Sequence, residues 1–341
     1  MSLQKSVIYH CPESHQPLFF EGKVDNSGKP IDGLFRSNDG IKIYPIKSSI
    51  PDFTFPPFDQ LSSSDLQSLD WYKNNAQSYD EYLPLTFETF KCDEEKERDR
   101  LIEALQLNGN EVVLEFGCGT GRDSERIANK LNKQGKLFLQ DISFEILNIA
   151  VQKFQKLNLE PDIEFSLANG YFLPFADQTF DRVFHFGGLN TFGDQQRTFR
   201  EIVRVSKPGA RVVIGDESMP PWLRDLEFGK ILINSNPHYN YELPLRHLPV
   251  EARNVKIEWF IGGVFYFISF DIGEGLPYAN FDFEIPGPRG GTHNTRYNGH
   301  IEGVSSEAQY LAKQAQKVTC KSMHRWLDEA IIFAAKKDLG Q

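Results

Sequence analysis

The sequence predicts an α/β fold: a largely parallel, doubly wound sheet, preceded by a small β module and followed by a helical tail. Three observations carry this. From Glu111 onward, apolar strand-length runs alternate with helical segments, and parallel strands can be joined only by crossovers that cover the sheet. The first sixty residues hold short β-type runs broken by Gly, Asn, Asp and Pro. Residues 273–341 return to helical spacing after a Gly/Pro-rich loop.

In order, Ser6–His10, Pro17–Glu21 and Ile41–Ile46 read as strands of an antiparallel unit, and Pro51–Ser64 as a linker whose aromatics lie on something. Helical periodicity runs through Leu66–Leu83 and Glu94–Leu107. The core then reads Val112–Phe116 into Arg122–Leu131, Lys136–Gln140 into Phe144–Lys156, Ile163–Leu167, and Arg182–Phe186 into Asp194–Val205. Arg211–Gly215 is a further buried strand, and Met219–Asn234 a helix. Val255–Phe260 and Val264–Asp271 flank Gly262-Gly263, the signature of a hairpin, so the sheet ends on a reversed strand. Ser306–Lys317 and Ser322–Lys337 are helices. The expected division is 1–60, 61–272 and 273–341.

With 341 residues, 40% hydrophobic and 25% charged, the chain can bury a sizeable core. The 37 Lys and Arg against 47 Asp and Glu, a net charge of −10, argue against a broad nucleic-acid surface. No apolar run reaches a membrane span, and the start lacks a signal-peptide core, so the cytoplasm is the expected location. Cys11, Cys92, Cys118 and Cys320 are too few and scattered for a disulfide framework.

The chemistry begins at Glu115-Phe116-Gly117-Cys118-Gly119-Thr120-Gly121, three glycines at alternate positions between a buried strand and a helix. Glycines admit close backbone approach, and a helix N-terminus offers free N–H groups, which suits a nucleoside-type cofactor; ordinary strand-to-helix turns use glycine too. Asp141 closes the next strand, where a carboxylate can accept both hydroxyls of a ribose or cap the following helix. Asn169 ends the third strand, either meeting an adenine edge or forming an Asx turn. The GxGxG spacing differs from the GxGxxG of nicotinamide dehydrogenases, and no GxxxxGK[ST] occurs.

These residues, with Leu173-Pro174-Phe175-Ala176-Asp177-Gln178-Thr179-Phe180-Asp181 and Glu201-Ile202-Val203-Arg204-Val205-Ser206-Lys207-Pro208-Gly209, resemble class I S-adenosylmethionine-dependent methyltransferases, in particular the type 11 or ubiquinone-biosynthesis-like branch. The resemblance spans about Leu66–Asp271 and implies a Rossmann-like seven-stranded sheet with the last strand antiparallel. It also implies that S-adenosylmethionine is the cofactor. Glu115 to Gly121 would cradle the methionine part, Asp141 the ribose, and Asn169 with Gly170 the adenine; Ile142, Tyr171 and Phe186 complete the implied set. The family usually has Asp where Asn169 stands.

Methyl transfer needs alignment and, for a proton-bearing acceptor, a base. His185 at the fourth strand end is the candidate base; the alternative is a packed histidine or a cofactor contact. Tyr72, Tyr79, Asn190 and Trp222 are candidate substrate residues, the aromatics forming either a lid or ordinary core. The expected acceptor is a small molecule, with rRNA or tRNA methylation, or a non-catalytic cofactor-binding scaffold, as alternatives. Cys11-Pro12-Glu13-Ser14-His15 and the following strands resemble a degenerate zinc ribbon, in which Ser37 and Asp39 stand where a second ligand pair would be, so no zinc is expected. The tail, from a strand at Arg296–Ile301 through its two helices, resembles a ribbon-helix-helix unit; a homodimer through it is one expectation, a plain helical hairpin the other.

Overall fold

The computed structural model describes residues 4–298 and 304–341. They form two compact units, one ending at Pro277 and one beginning at Tyr278. The larger unit opens with a five-stranded antiparallel sheet in chain order: β1 (Gln4–His10), β2 (Pro17–Val24), β3 (Pro30–Arg36), β4 (Ile43–Lys47) and β5 (Ile50–Pro51). Strand β3 carries no strand signature in the sequence, because Pro30, Asp32 and Gly33 are residues that strands avoid. A Cβ on Gly33 would lie 2.2 Å from the Glu21 carbonyl oxygen, and one on Gly22 would lie 2.0 Å from that of Asp32. The two strands pair there only because neither position carries a side chain.

Three helices follow: α1 (Ser63–Asn75), α2 (Tyr79–Phe90) and α3 (Glu94–Ala104). What the periodicity presents as one stretch, Leu66–Leu83, is broken between α1 and α2. The side-chain amides of Asn74 and Asn75 donate to the carbonyls of Asp70 and Trp71, competing with the next helical turn for those acceptors.

The core sheet comprises β6 (Val112–Phe116), β7 (Lys136–Asp141), β8 (Asp162–Leu167), β9 (Phe180–Phe186), β10 (Ser206–Glu217), β11 (Ala252–Phe260) and β12 (Phe265–Ile272). Its seven strands lie in the order β11-β12-β10-β9-β6-β7-β8. From β10 to β8 all neighbours are parallel, and β12 runs antiparallel between β10 and β11, so the sheet has the reversed last strand that the sequence predicts. Helices α4 (Arg122–Lys130), α5 (Phe144–Phe154) and α6 (Gln195–Val205) follow β6, β7 and β9. Helices α7 (Pro221–Arg224) and α8 (Glu227–Ser235) follow β10.

Side chains alternate across the sheet. Val113, Leu137, Leu139 and Val213 face one core with Leu101 and Ile102 of α3, Ile127 of α4 and Leu147 of α5. Leu114, Phe138, Val212 and Ile214 face the other with Phe199 and Ile202 of α6. No helix joins β8 to β9, and the β module occupies that stretch of sheet instead. Tyr9 packs 4.8 Å from Phe53 and 5.7 Å from Phe175, ring centre to ring centre, and Phe138 and Phe175 pack at 5.7 Å. Main-chain bonds join the layers: His10 to Pro174, Ala176 to Ile8, and Phe53 to Leu167 at 2.7 Å. The aromatics of 51–64 thus do lie on something, since Phe53 is wholly buried.

Cys11 is buried 3.2 Å from the Tyr44 hydroxyl, and Ser37 donates to Asp39. Among the described residues no group of three or more His, Cys, Asp or Glu is placed to hold a metal. The second unit contains α9 (His293–Asn298), α10 (Ser306–Thr319) and α11 (Met323–Asp338). Arg296, expected to start a strand, lies within α9, and residues 299–301 of that expectation fall outside the described residues. Ser305 and Ser322 cap α10 and α11 by accepting from Ala308 and Arg325. Among the described residues no helix is long and apolar enough to cross a membrane.

Because Phe53 of the β module and Phe175 of the core loop share one aromatic cluster, Phe53→Ala and Phe175→Ala should each cost about 3–5 kcal/mol. Urea denaturation followed by near-ultraviolet circular dichroism is expected to report this as one shifted cooperative transition in both variants.

Candidate active site

The strand order reverses at β6, from which the chain proceeds to β7 and β8 on one side and to β9 and β10 on the other. Crossovers diverging from such a point leave a crevice beyond the carboxyl ends of the strands. The glycine turn folds into it. Gly117, Gly119 and Gly121 all have positive φ, at 66°, 57° and 78°, a region that only glycine enters readily. A Cβ on Gly117 would lie 2.9 Å from the His185 ring and one on Gly121 2.8 Å from the Phe154 ring, whereas one on Gly119 would meet nothing within 4 Å. The outer two glycines permit packing, and the middle one faces open space.

Asp141 holds this turn. One carboxylate oxygen accepts from the Gly119 amide at 2.9 Å and the other from Ser143 at 2.9 Å. Ser143, rather than Asp141, caps α5 through its hydroxyl. Burial raises the Asp141 pKa against these amide bonds, and each oxygen retains a lone pair for a further donor. Ile142 beside it is half-buried. Asn169 forms the Asx turn, its oxygen accepting from Tyr171 at 3.2 Å, while its buried Nδ2 has no partner. Gly170 packs under Phe192, where a Cβ would come within 2.5 Å of the ring.

Glu115 is buried towards α4, with Oε2 unpartnered. Desolvation first, and then the charge of Asp123, push its pKa well up. Beside it, Arg98 grips Asp123 through two contacts of 2.8 Å. Cys118 is buried in the turn, and burial first raises its thiol pKa. Thr120 is directed elsewhere than at a cofactor: its hydroxyl donates to Asp80 of α2 at 2.8 Å, and Arg122 reaches the same oxygen at 3.1 Å. On α1, Asp65 accepts from the Tyr171 hydroxyl. Helices α1 and α2 are therefore each fastened by one carboxylate to a loop carrying candidate cofactor residues.

His185, the candidate base, is wholly buried. Its ring stacks on Phe116 at 4.6 Å and 9°, with Phe192 at 5.2 Å. Nδ1 donates to the Phe116 carbonyl at 2.6 Å, leaving Nε2 unpartnered. Desolvation pulls its pKa down to about 4, the bond to Phe116 only partly opposing this. Such a ring is neutral and weakly basic, a property of a wall more than of a base. Phe186 points to the opposite face and packs on Phe260 and Phe265.

Beyond β9, Gly215 of β10 pairs with Phe186, and Asp216 and Glu217 project further along the edge. Asp216 accepts from the amides of Asn190 at 2.7 Å and Glu217 at 2.8 Å, yet desolvation, then the Glu217 charge, lifts its pKa to about 7. Asn190, a candidate substrate residue, is buried as a brace, its amide donating to the Glu217 carbonyl at 2.7 Å. Tyr72 and Tyr79 pack edge to face at 5.9 Å. After burial, the charges acting on Tyr72 include Asp141, Asp216 and Glu217, and those on Tyr79 include Asp141 and Glu217. Trp222 is largely exposed, edge-on to Trp259 at 5.8 Å.

Four residues here escape sequence reasoning. Asp65 and Asp80 pair with partners 106 and 40 residues away, a relation no local pattern records. Glu217 and His238 lie 3.3 Å apart; Glu217 could have been suspected, because it follows Asp216 at a strand end.

Residues 107–258 match the family model described as "Methyltransferase domain". Over that stretch the core is similar to a methyltransferase domain. The open face of Gly119, the lone pairs of Asp141 and the orphaned Asn169 amide provide a set of contacts that fits S-adenosylmethionine. The chain is 34% identical over 123 residues to a demethylmenaquinone methyltransferase of Lactiplantibacillus plantarum, covering 36% of this chain and 52% of that protein. It is 30% identical over 153 residues to the ubiquinone/menaquinone biosynthesis C-methyltransferase of Blochmanniella floridana, covering 41% and 60%. It thus spans about half the length of the curated relatives it matches. Among solved structures, a Haemonchus contortus phosphoethanolamine N-methyltransferase bound to S-adenosyl-L-methionine aligns with a TM-score of 0.47 and 12% identity, over 63% of this chain and 61% of that one.

The raised pKa of Asp216 fixes a pH dependence. A carboxyl with a folded pKa of about 7, against an ordinary 3.8, favours the fold below pH 3.8 and withdraws that support as pH rises to about 7. Asp216→Asn should therefore gain on the natural protein by on the order of 3–4 kcal/mol between pH 4 and pH 7. Urea midpoints across that range measure the difference.

Proposed function

We propose that this protein transfers the methyl group of S-adenosylmethionine to a small-molecule acceptor. The observation that carries the reading is the open face at Gly119, braced by Asp141, whose charge acts on Tyr72 and Tyr79. When bound, the cofactor supplies an electrophilic methyl on a sulfonium. The chain's own residues supply position and dryness. Amides of the glycine turn and the Asp141 carboxylate would hold amino-acid and ribose groups, and the Asn169 amide would meet the adenine. The set extends to Glu115, Phe116, Cys118, Ile142, Gly170 and Tyr171. His185 and Phe116 form a neutral, rigid wall between cofactor and acceptor sides. Tyr72 and Tyr79 cover the acceptor, and the fastening of α1 and α2 through Asp65 and Asp80 excludes water while charge is redistributed.

The small-molecule reading draws support from the curated relatives, named as a ubiquinone/menaquinone biosynthesis C-methyltransferase and a demethylmenaquinone methyltransferase, and from the net charge of −10. It is accompanied by a cytoplasmic location, by the three-part division at 1–60, 61–272 and 273–341, and by a homodimer through the tail. A monomeric mass in light scattering would remove the last.

Calorimetry with S-adenosylhomocysteine tests the reading. Binding is expected, and Asp141→Ala should lose about 1–3 kcal/mol of affinity. Unchanged affinity would withdraw the assignment of Asp141 to the ribose.

A further inference from the structure

The outer strand at one side of the large sheet is β11, which pairs with β12 and, among the described residues, with no other strand. A strand bonded on one side only keeps its second row of backbone groups available. The available stretch is Val255-Lys256-Ile257-Glu258-Trp259. Asn254, at a φ of 51°, bulges before it where the register with β12 shifts, and Phe260 is buried after it. Side chains alternate between the two faces. On one face Val255 and Ile257 are exposed, and Trp259 stands edge-on to Trp222, 5.8 Å away and itself largely exposed. On the other face Lys256 and Glu258 are exposed; Glu258 lies 3.5 Å from Arg100, and Lys256 has no ion-pair partner among the described residues.

The order of these five side chains is complementary to itself. Set antiparallel against a second copy about a two-fold axis through Ile257, β11 places Ile257 opposite Ile257, Val255 opposite Trp259 and Lys256 opposite Glu258, the last two pairings occurring on both sides of the axis. Apolar thus meets apolar on one face, and cation meets anion on the other. An axis through Lys256 or through Glu258 would set like charges opposite each other, and a register slipped by one residue would lay the apolar face of one copy beside the charged face of the other. Only the axis at Ile257 satisfies both faces.

We infer that β11 is a dimerisation edge whose occupant is a second copy of this chain, the contact joining two seven-stranded sheets into one. Backbone bonds across the axis supply an attraction common to extended segments, and the side-chain order selects this chain as the partner. Association ends at two, because a two-fold contact uses the same edge on both copies. The contact depends neither on the proposed reaction nor on the tail, since β11 belongs to the unit ending at Pro277.

The test is sedimentation of the full chain at micromolar concentration, where the natural protein should be a dimer. Lys256→Glu and Glu258→Lys should each weaken dimerisation at least tenfold, because each reversal sets like charges opposite each other on both sides of the axis, while the near-ultraviolet circular dichroism stays that of the natural protein. Mixed in equal amounts, the two variants should form a heterodimer, since each chain then supplies the charge that the other lacks. Ile257→Cys, in a Cys320→Ser background that removes the exposed native thiol, should give a disulfide-linked dimer on air oxidation, and Val255→Cys in the same background should not, because its own copy stands four residues of strand away. A monomeric natural protein overturns the inference, Lys256 and the bulge then guarding the edge. So does a dimer equally tight in both charge variants, which would place the contact elsewhere in the chain, or a mixture of the two variants that stays monomeric.

Discussion

A parallel sheet must be covered on both faces, and much of this molecule follows from how one uncovered stretch is filled. Helices α3, α4 and α5 cover one face, and α6 covers part of the other. The connection from β8 to β9 carries no helix, which would leave Phe138 and Phe180 exposed to water. The N-terminal strands fill that space with Tyr9, Phe35 and Phe53. At roughly 25 cal/mol per Å² of apolar surface, burying this many aromatic rings stabilises the fold by several kcal/mol. The β module therefore contributes to the same cooperative core as the strands that open the crevice.

The crevice depends on the sheet in a second way. Divergent crossovers at β6 open it, and the glycine turn is pinned within it by contacts from neighbouring strands: His185 beneath Gly117, Phe154 of α5 beneath Gly121, and Asp141 at the Gly119 amide. Only the face of Gly119 is left free. Charge is arranged with equal economy. Carboxylates stand at strand ends on both sides of β6, Asp141 on β7 and Asp216 with Glu217 on β10, and after burial all three charges act on Tyr72.

Much of this was legible in the sequence, and the limits have physical causes. The alternation of strands and helices, the reversed last strand, the glycine turn and Asp141 are local patterns, each set by residues within about twenty positions of one another. Strand β3 was invisible because its Pro, Asp and Gly are tolerated only by the Gly22–Gly33 contact across strands. The break between α1 and α2 depends on two asparagine side chains competing for backbone acceptors. Asp65 and Asp80 read as ordinary surface carboxylates of amphipathic helices, and only the fold brings them to Tyr171 and Thr120. His185 was singled out by its position at a strand end, but its basicity is set by stacking and desolvation, which no spacing encodes.

The strap at Asp52 and Phe53 has a consequence for life in a crowded cell. Strand β8 is the terminal strand of the large sheet, and a terminal strand offers unsatisfied amides and carbonyls to any chain that drifts past. Here the backbone of Phe53 bonds to Leu167, and the Lys29 ammonium reaches the Ile163 carbonyl at 2.8 Å. The protein thereby seals its own margin against template-driven polymerisation with a segment drawn from its opening residues.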